Sequence, residues 1–189
     1  MEDLIKYLLK FGQLNESQCA LIQSKTQLKK VKKGEYFSEA GKVSRKIGYV
    51  TKGVFRICYY NKTGESFTRY FVYENRFITD INSFIDEVPS AEYIEAVTDC
   101  EILVFSKKDF SELAMTIPGW SDIFSKITSY VLENKMRASS NMLVQDAQTR
   151  YSHFLAHYPG LANRIPQLML ASYLGITPSS LSRIRKTLI

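Results

Sequence analysis

The chain has 189 residues, of which 45% are hydrophobic, 23% charged and 13% aromatic. That composition suits one packed unit with at most a small second one, and it excludes disordered, collagen-like and rod-like chains. The net charge of +6 is unevenly placed: residues 1–115 hold 17 basic and 16 acidic groups, whereas residues 116–189 hold 8 and 3.

The last acid is Asp146, so the final 43 residues contain none. A segment stripped of carboxylates suits a polyanion, because each acid facing phosphate would repel it. A basic surface kept for solubility explains the charge alone equally well. The apolar runs are too short for a membrane span. The start, Met1-Glu2-Asp3, lacks the basic stretch of a signal peptide. Cys19, Cys58 and Cys100 are odd in number and widely spaced, which fits neither a disulfide framework nor a CxxC metal pair. A cytoplasmic protein with reduced thiols is expected.

In chain order, Leu4, Ile5, Leu8, Leu9 and Phe11 recur at helical spacing over residues 3–11, and residues 16–25 form a second short helical pattern. From 26 to 106 the texture changes to short runs rich in Val, Ile, Tyr, Phe and Thr, separated by turn residues. Strands are predicted at 47–51, 54–60, 66–72, 93–97 and 101–105. Asn61-Lys62-Thr63-Gly64 is a hairpin loop between two of them. Such a series predicts an antiparallel barrel or sandwich. Lys29, Lys30, Lys32 and Lys33 suit a strand edge kept charged against aggregation, with a DNA contact as the other reading. Tyr59, Tyr60, Tyr70 and Tyr73 are expected to pack the barrel or line a small pocket.

Residues 108–113 begin a short helix that Pro118-Gly119 breaks. From 120 to 142 neither Gly nor Pro occurs, and Trp120, Ile123, Ile127, Tyr130 or Val131, Asn134, Ala138 and Asn141 recur every three or four residues. This predicts a long helix with an apolar seam. It is longer than one barrel covers, so Ile123, Ile127, Tyr130, Val131 and Asn134 are expected to join two copies, with Asn134 setting the register. An ordinary buried helix is the plainer reading. Asp146 is placed to cap a helix over 147–158 that Pro159-Gly160 ends.

Residues 166–188 hold the most specific pattern. Pro166 opens about two helical turns from Gln167 to Leu174. Gly175 suits a left-handed exit, Ile176 is an apolar plug, Thr177 caps, and Pro178 takes the first position of a second helix. A helix-turn-helix needs a small residue where the helices cross, Gly in the turn, and apolar residues on the inner face of the second helix. Ala171, Gly175, Leu181, Ile184 and Leu188 supply these types at those spacings. Gln167, Thr177, Ser179, Ser180, Ser182, Arg183, Arg185 and Lys186 are the candidate DNA-binding residues. Small hydroxyls fit a groove, Arg183 can hold a guanine at O6 and N7, and Arg185 and Lys186 suit phosphate. The plainer reading is a helical corner that only packs.

The order of barrel, long helix and helix-turn-helix resembles the Crp–Fnr family of bacterial transcription regulators. The resemblance rests on Lys33-Gly34-Glu35-Tyr36-Phe37 with Ala40-Gly41, on Val50-Thr51-Lys52-Gly53-Val54-Phe55-Arg56, on Ala96-Val97-Thr98-Asp99-Cys100-Glu101, and on Leu174-Gly175-Ile176-Thr177 with Leu181-Ser182-Arg183-Ile184. It implies an α+β chain: a cyclic-nucleotide-binding-like jelly-roll barrel flanked by helices over 1–116, a long dimerisation helix over 117–145, and a helix-turn-helix domain over 146–189. It implies a homodimer on a two-fold symmetric operator of double-stranded DNA, RNA polymerase as a further partner, and an unidentified small-molecule effector. Arg183 falls on the family's base-reading arginine, and Ser179 falls where many members carry a glutamate. Thr79, Asp80, Ser90 and Ala91 fall on the effector-pocket positions. The phosphate-binding arginine of the cyclic-nucleotide branch is absent there, and a buried phosphate without a cation is costly. Cyclic AMP is therefore not the expected effector. The clustered N-terminal cysteines of the iron–sulfur branch are also absent. Family members continue into a β-hairpin wing, whereas the sequence given ends at Ile189. Arg150 and Arg164 are expected to add phosphate contacts in its place.

His153 and His157 stand at i and i+4, a spacing compatible with one metal, but no third ligand or HExxH glutamate accompanies them. No metal or cofactor is expected. There is no GxSxG, P-loop or GxGxxG, and Asp86-Glu87 suits a solvated loop better than a two-carboxylate site. The sequence therefore points to a DNA-binding regulator with a steep salt dependence, and not to an enzyme. The alternative is a ligand- or protein-binding barrel whose helix-turn-helix only packs or docks.

Overall fold

The computed structural model describes residues 1–187, apart from the side chain of Asn141. Leu188 therefore lies outside the described residues, as does the Asn141 side chain.

Two short helices open the chain, α1 (Glu2–Leu8) and α2 (Glu16–Ser24). Asn15 starts α2 with a reciprocal cap. Its side chain accepts from Gln18 N at 2.9 Å, while Gln18 Oε1 accepts from Asn15 N at 2.9 Å. Eight strands follow: β1 (Gln27–Val31), β2 (Tyr36–Ser38), β3 (Lys46–Lys52), β4 (Phe55–Tyr60), β5 (Ser66–Val72), β6 (Arg76–Ile78), β7 (Tyr93–Ala96) and β8 (Cys100–Ser106). The helix α3 (Ile81–Asp86) lies between β6 and β7. The strands form two antiparallel four-stranded sheets, ordered β1-β8-β3-β6 and β2-β7-β4-β5. Val31, Val50, Ile78 and Ile102 of the first sheet pack with Phe37, Phe55, Ile57, Val72 and Ile94 of the second. The expected barrel is thus a two-sheet jelly roll.

Local chemistry explains its details. The β4–β5 hairpin is held by Asn61, whose side-chain oxygen accepts from Thr63 N at 3.0 Å and Glu65 N at 2.9 Å. Lys29 and Lys30 lie on β1, an edge strand, as the charged-edge reading expected. Apart from the charged edge at β1, the short β1, β2 and β6 were not among the predicted strand runs. Each is three to five residues long, too short for alternation to stand out. Asp86 is the last residue of α3, and Glu87 takes a left-handed φ of 55° at its end. The expected loop at Asp86-Glu87 is therefore a helix end, and both residues are exposed.

Across β4 and β7, Arg56 pairs with Glu95. Its Nε and Nη2 reach Glu95 Oε2 at 2.9 and 2.6 Å, and its Nη1 donates to Ser66 Oγ and Thr68 Oγ1 at 3.1 and 3.3 Å. Both residues are buried. The guanidinium is fully engaged, which a buried ion pair requires, and removing either partner costs about 3–5 kcal/mol.

The remaining chain is helical: α4 (Lys107–Thr116), α5 (Trp120–Val144), α6 (Ala147–His157), α7 (Gln167–Leu174) and α8 (Pro178–Thr187). A 3-10 turn, Leu161–Asn163, lies before α7. Asp146 caps α6, its carboxylate accepting from Thr149 N at 2.9 Å. The first turns of α5 bury Trp120, Ile123 and Ile127 against Leu4 and Leu8 of α1, Tyr49 of β3 and Phe105 of β8. A second core joins α6, α7 and α8 to the jelly roll, with Tyr151, Phe154, Leu170, Leu174 and Leu181 packed against Val54, Phe71 and Val97.

Candidate nucleic-acid interface and effector-side cluster

Gly175 leaves α7 at φ 66°, and Ile176 N donates back to Ala171 O at 3.0 Å. This is the left-handed exit the spacing predicts. Thr177 then caps α8, its hydroxyl accepting from Ser180 N at 3.2 Å. Ala171, Leu174 and Leu181 are wholly buried where the helices cross, and Ile184 packs beside them. The opposite face of α8 presents Ser179, Arg183 and Lys186 to solvent, while Ser180 and Ser182 are half-buried. Thr177 Oγ1 lies 2.9 Å from both Ser179 Oγ and Ser180 Oγ, so three small hydroxyls sit together at the start of α8. Gln167 Nε2 donates to Pro178 O at 2.9 Å and ties the two helix starts together.

Three arginines differ from expectation. Arg185 turns inward, its Nε donating to Tyr151 OH at 3.1 Å and its Nη2 to Ala162 O at 3.4 Å. Arg150 Nη1 donates to Met142 O at 3.1 Å. Arg164 forms a two-pronged ion pair with Glu74 at 2.9 and 2.6 Å. Each guanidinium thus spans a joint within the chain, Arg164 at the exposed surface and Arg150 and Arg185 half-buried.

On the effector side, Thr79, Asp80 and Ser90 do come together, while Ala91 is exposed beside them. Asp80 caps α3 through Ser83 N at 3.2 Å and accepts from Ser90 Oγ at 2.7 Å. Thr79 Oγ1 donates to Lys46 O at 3.1 Å. These groups satisfy one another. Glu92 is buried and accepts from Tyr59 OH at 2.9 Å and from Arg69 Nη1 at 3.1 Å. Beside Arg69, a second cation feels Glu92 and Asp80: Lys135, from α5. Its Nζ lies 3.9 Å from the Tyr70 ring centroid and donates to Tyr70 OH at 2.6 Å. Burial pushes the Lys135 ammonium down to about 8, against the pull of Glu92. Burial likewise drives the Tyr70 phenol well above its ordinary value. Lys135 was missed by sequence reasoning, yet a signal existed. It stands at the fourth position after Val131, itself the fourth after Ile127, on the inward stripe of α5.

The expected dimer seam is corrected in part. Ile123 and Ile127 are 3% exposed and belong to the chain's own core. Helical periodicity marks a buried stripe without saying what buries it, and here α1 and the first sheet do. Val131 is half-buried beside that core, whereas Tyr130 and Asn134 are exposed. The outward apolar residues of α5 are Leu132, Met136, Leu143 and Val144.

His153 and His157 are exposed, and the His157 Nδ1 lies 2.9 Å from His153 O. Among the described residues no group of His, Cys, Asp and Glu is arranged to hold a metal. Among them, too, no helix is long and apolar enough to cross a membrane.

A jelly roll with a helix between β6 and β7 is joined by a long helix to a helix-turn-helix. Residues 28–116 match the family model of the cyclic nucleotide-binding domain. The whole chain has the fold of Crp–Fnr regulators. FixK2 of Bradyrhizobium japonicum matches with a TM-score of 0.76 at 15% identity, covering 86% of this chain and 84% of that one. CLP of Xanthomonas campestris, described as a c-di-GMP-responsive global regulator, matches at 0.71 and 17% identity, covering 92% and 91%. The catabolite activator protein of Thermus thermophilus matches at 0.60 and 19% identity, covering 96% and 86%. Comparison of the sequence with curated proteins gives no match.

Proposed function

We propose that this chain is a Crp–Fnr-type transcription regulator that binds a two-fold symmetric DNA operator as a homodimer and does not respond to cyclic AMP. The observation that carries the reading is α8. Leu181 is wholly buried behind it, and Ser179, Arg183 and Lys186 face solvent together beyond the Thr177 cap. That is the arrangement a recognition helix needs to enter the major groove. The sensor stands at residues 1–116, α5 links it to the reader, and the reader follows Asp146.

The effector cluster supports independence from cyclic AMP. Buried Ser90 stands at the position of the phosphate-binding arginine, and Asp80 is already spent on Ser83 and Ser90. For dimerisation, the outward stripe Leu132, Met136 and Leu143 replaces Ile123 and Ile127, with Tyr130 and Asn134 flanking it. Its spacing of four then seven residues fits a helix–helix seam. RNA polymerase and an unidentified small effector are carried as partners by the fold alone.

The test is selection of binding sites from a random duplex library. A palindromic consensus is expected, and Arg183→Ala is expected to weaken it by about 1–3 kcal/mol and relax one base position. Sequence-blind binding by the wild-type chain would return the alternative, in which the jelly roll is the working part.

A further inference from the structure

The reader is held to the sensor by more than the α5–α6 junction. α7 lies along β5, an edge strand of its sheet. Edge strands carry N–H and C=O groups that lack a neighbouring strand. Ser172 of α7 takes that neighbour's place, its hydroxyl accepting from Thr68 N at 3.0 Å and donating to Ser66 O at 3.4 Å. Beside it, Phe71 meets Tyr173 and Phe154 with centroids 5.5 and 6.4 Å apart, and Tyr73 meets Tyr158 edge-on at 5.8 Å.

Glu74, just beyond β5, completes the joint. Its carboxylate takes Arg164 of the reader at 2.9 and 2.6 Å and accepts from Gly53 N of the sensor at 2.7 Å. Only glycine suits position 53. Its φ is +101°, and a Cβ there would lie 2.5 Å from Cys100 Sγ and 2.7 Å from Asp99 O. Glu74 is thus bonded to that turn on one side and holds the reader on the other.

We propose that Glu74 and Ser172 form a specificity-determining clasp, which fixes the recognition helix on the sensor so that a dimer reads operators of one half-site spacing. The proposal rests on the DNA-reading function above. A dimer with rigid heads presents its two helices at one separation, and half-site spacing mirrors that separation. A head swinging on the α5–α6 junction accepts several spacings and spends much of its time in orientations that cannot bind, which lowers the apparent affinity by that fraction. Glu74 and Ser172 are positioning residues that lie away from the exposed face of α8.

The experiment compares the full-length wild-type chain with Glu74→Gln, Ser172→Ala and the double variant. Glu74→Gln keeps an acceptor for Gly53 N and removes the charge facing Arg164, so the sensor turn survives. The first readout is amide hydrogen exchange without DNA. In the double variant, Thr68 and residues 167–174 are expected to exchange about tenfold faster, while β3 and β8 are unchanged. The second is site selection, where the single wild-type spacing is expected to broaden and affinity for the wild-type site to fall about tenfold. Unchanged exchange would overturn the clasp, whatever the DNA result. Faster exchange with an unaltered spacing and affinity would overturn its role in specificity. If the wild-type chain selects no palindromic site, the DNA-reading function fails and the spacing role with it, while the exchange arm still decides whether the clasp exists.

Discussion

Lys135 shows how one side chain departs from the pattern around it. It occupies the inward stripe of α5, where Ile123, Ile127 and Val131 pack on the sensor, and it covers Tyr70 with its ammonium. Its folded value of about 8 is below the ordinary lysine value of about 10.4. Between those values the unfolded chain binds more protons, so stability rises as pH rises through that window. The cost of burying the charge is fully present below about pH 8. Lys135→Met removes the cost, so the expected outcome is a melting temperature above wild type at pH 7, with the gap narrowing between about pH 8 and pH 10. Parallel melting curves across that range would show that the ammonium carries no such cost. Arg183 and Thr177 are the opposite case. Their roles follow from sequence spacing alone, because a cap and an exposed arginine need only their own helix.

At the scale of the element, α5 has two apolar stripes, and periodicity alone does not tell them apart. The inward one is covered by α1 and the first sheet. The outward one leaves Leu132, Met136 and Leu143 at 56%, 63% and 87% exposed. Exposed apolar residues at helix–helix spacing mark an interaction face. Leu132→Asp combined with Met136→Asp is expected to give a folded monomer in sedimentation equilibrium, with a sensor that melts as in wild type. Ile127→Asp is expected to unfold the chain instead, because it buries an unpaired carboxylate at a cost of several kcal/mol. A double variant that remains dimeric would remove this face from the interface. The short strands β2 and β6 stayed invisible for a related reason. They exist because longer strands beside them offer hydrogen bonds, and that information lies far away along the chain.

At the scale of the whole molecule, the basic charge is smaller in effect than in count. Of the eight basic residues after position 115, six already have a partner within the chain, Lys126, Arg137 and Arg164 at the exposed surface. Lys126 reaches Phe11 O, Lys135 Tyr70, Arg137 Glu133, Arg150 Met142 O, Arg164 Glu74 and Arg185 Tyr151. Arg183 and Lys186 remain on the exposed face of α8. The acid-free tail alone implies a steep salt dependence, but the structure implies a shallow one. Two cations per protomer give a dimer slope of about −4 in log affinity against log salt. Lys186→Gln is expected to reduce its magnitude by about one per protomer. A wild-type slope steeper than about −7 would mean that the paired arginines let go on binding DNA.

By itself the sequence determined the parts that depend on neighbours along the chain. These are the Asp146 and Thr177 caps, the left-handed exit at Gly175, the Asn61 hairpin, the long helix and the inner face of α8. Each is fixed by residues within about one or two turns, so local chemistry suffices. The tertiary structure decided everything that depends on which surfaces meet. It assigned Ile123 and Ile127 to the core, brought Lys135 onto Tyr70, paired Arg150, Arg164 and Arg185 with Met142, Glu74 and Tyr151, and docked α7 on the free edge of β5. Apart from Arg150 on Met142, 8 residues away, the hydrogen bonds among those outcomes pair groups 34 to 106 residues apart in sequence, which no local pattern encodes.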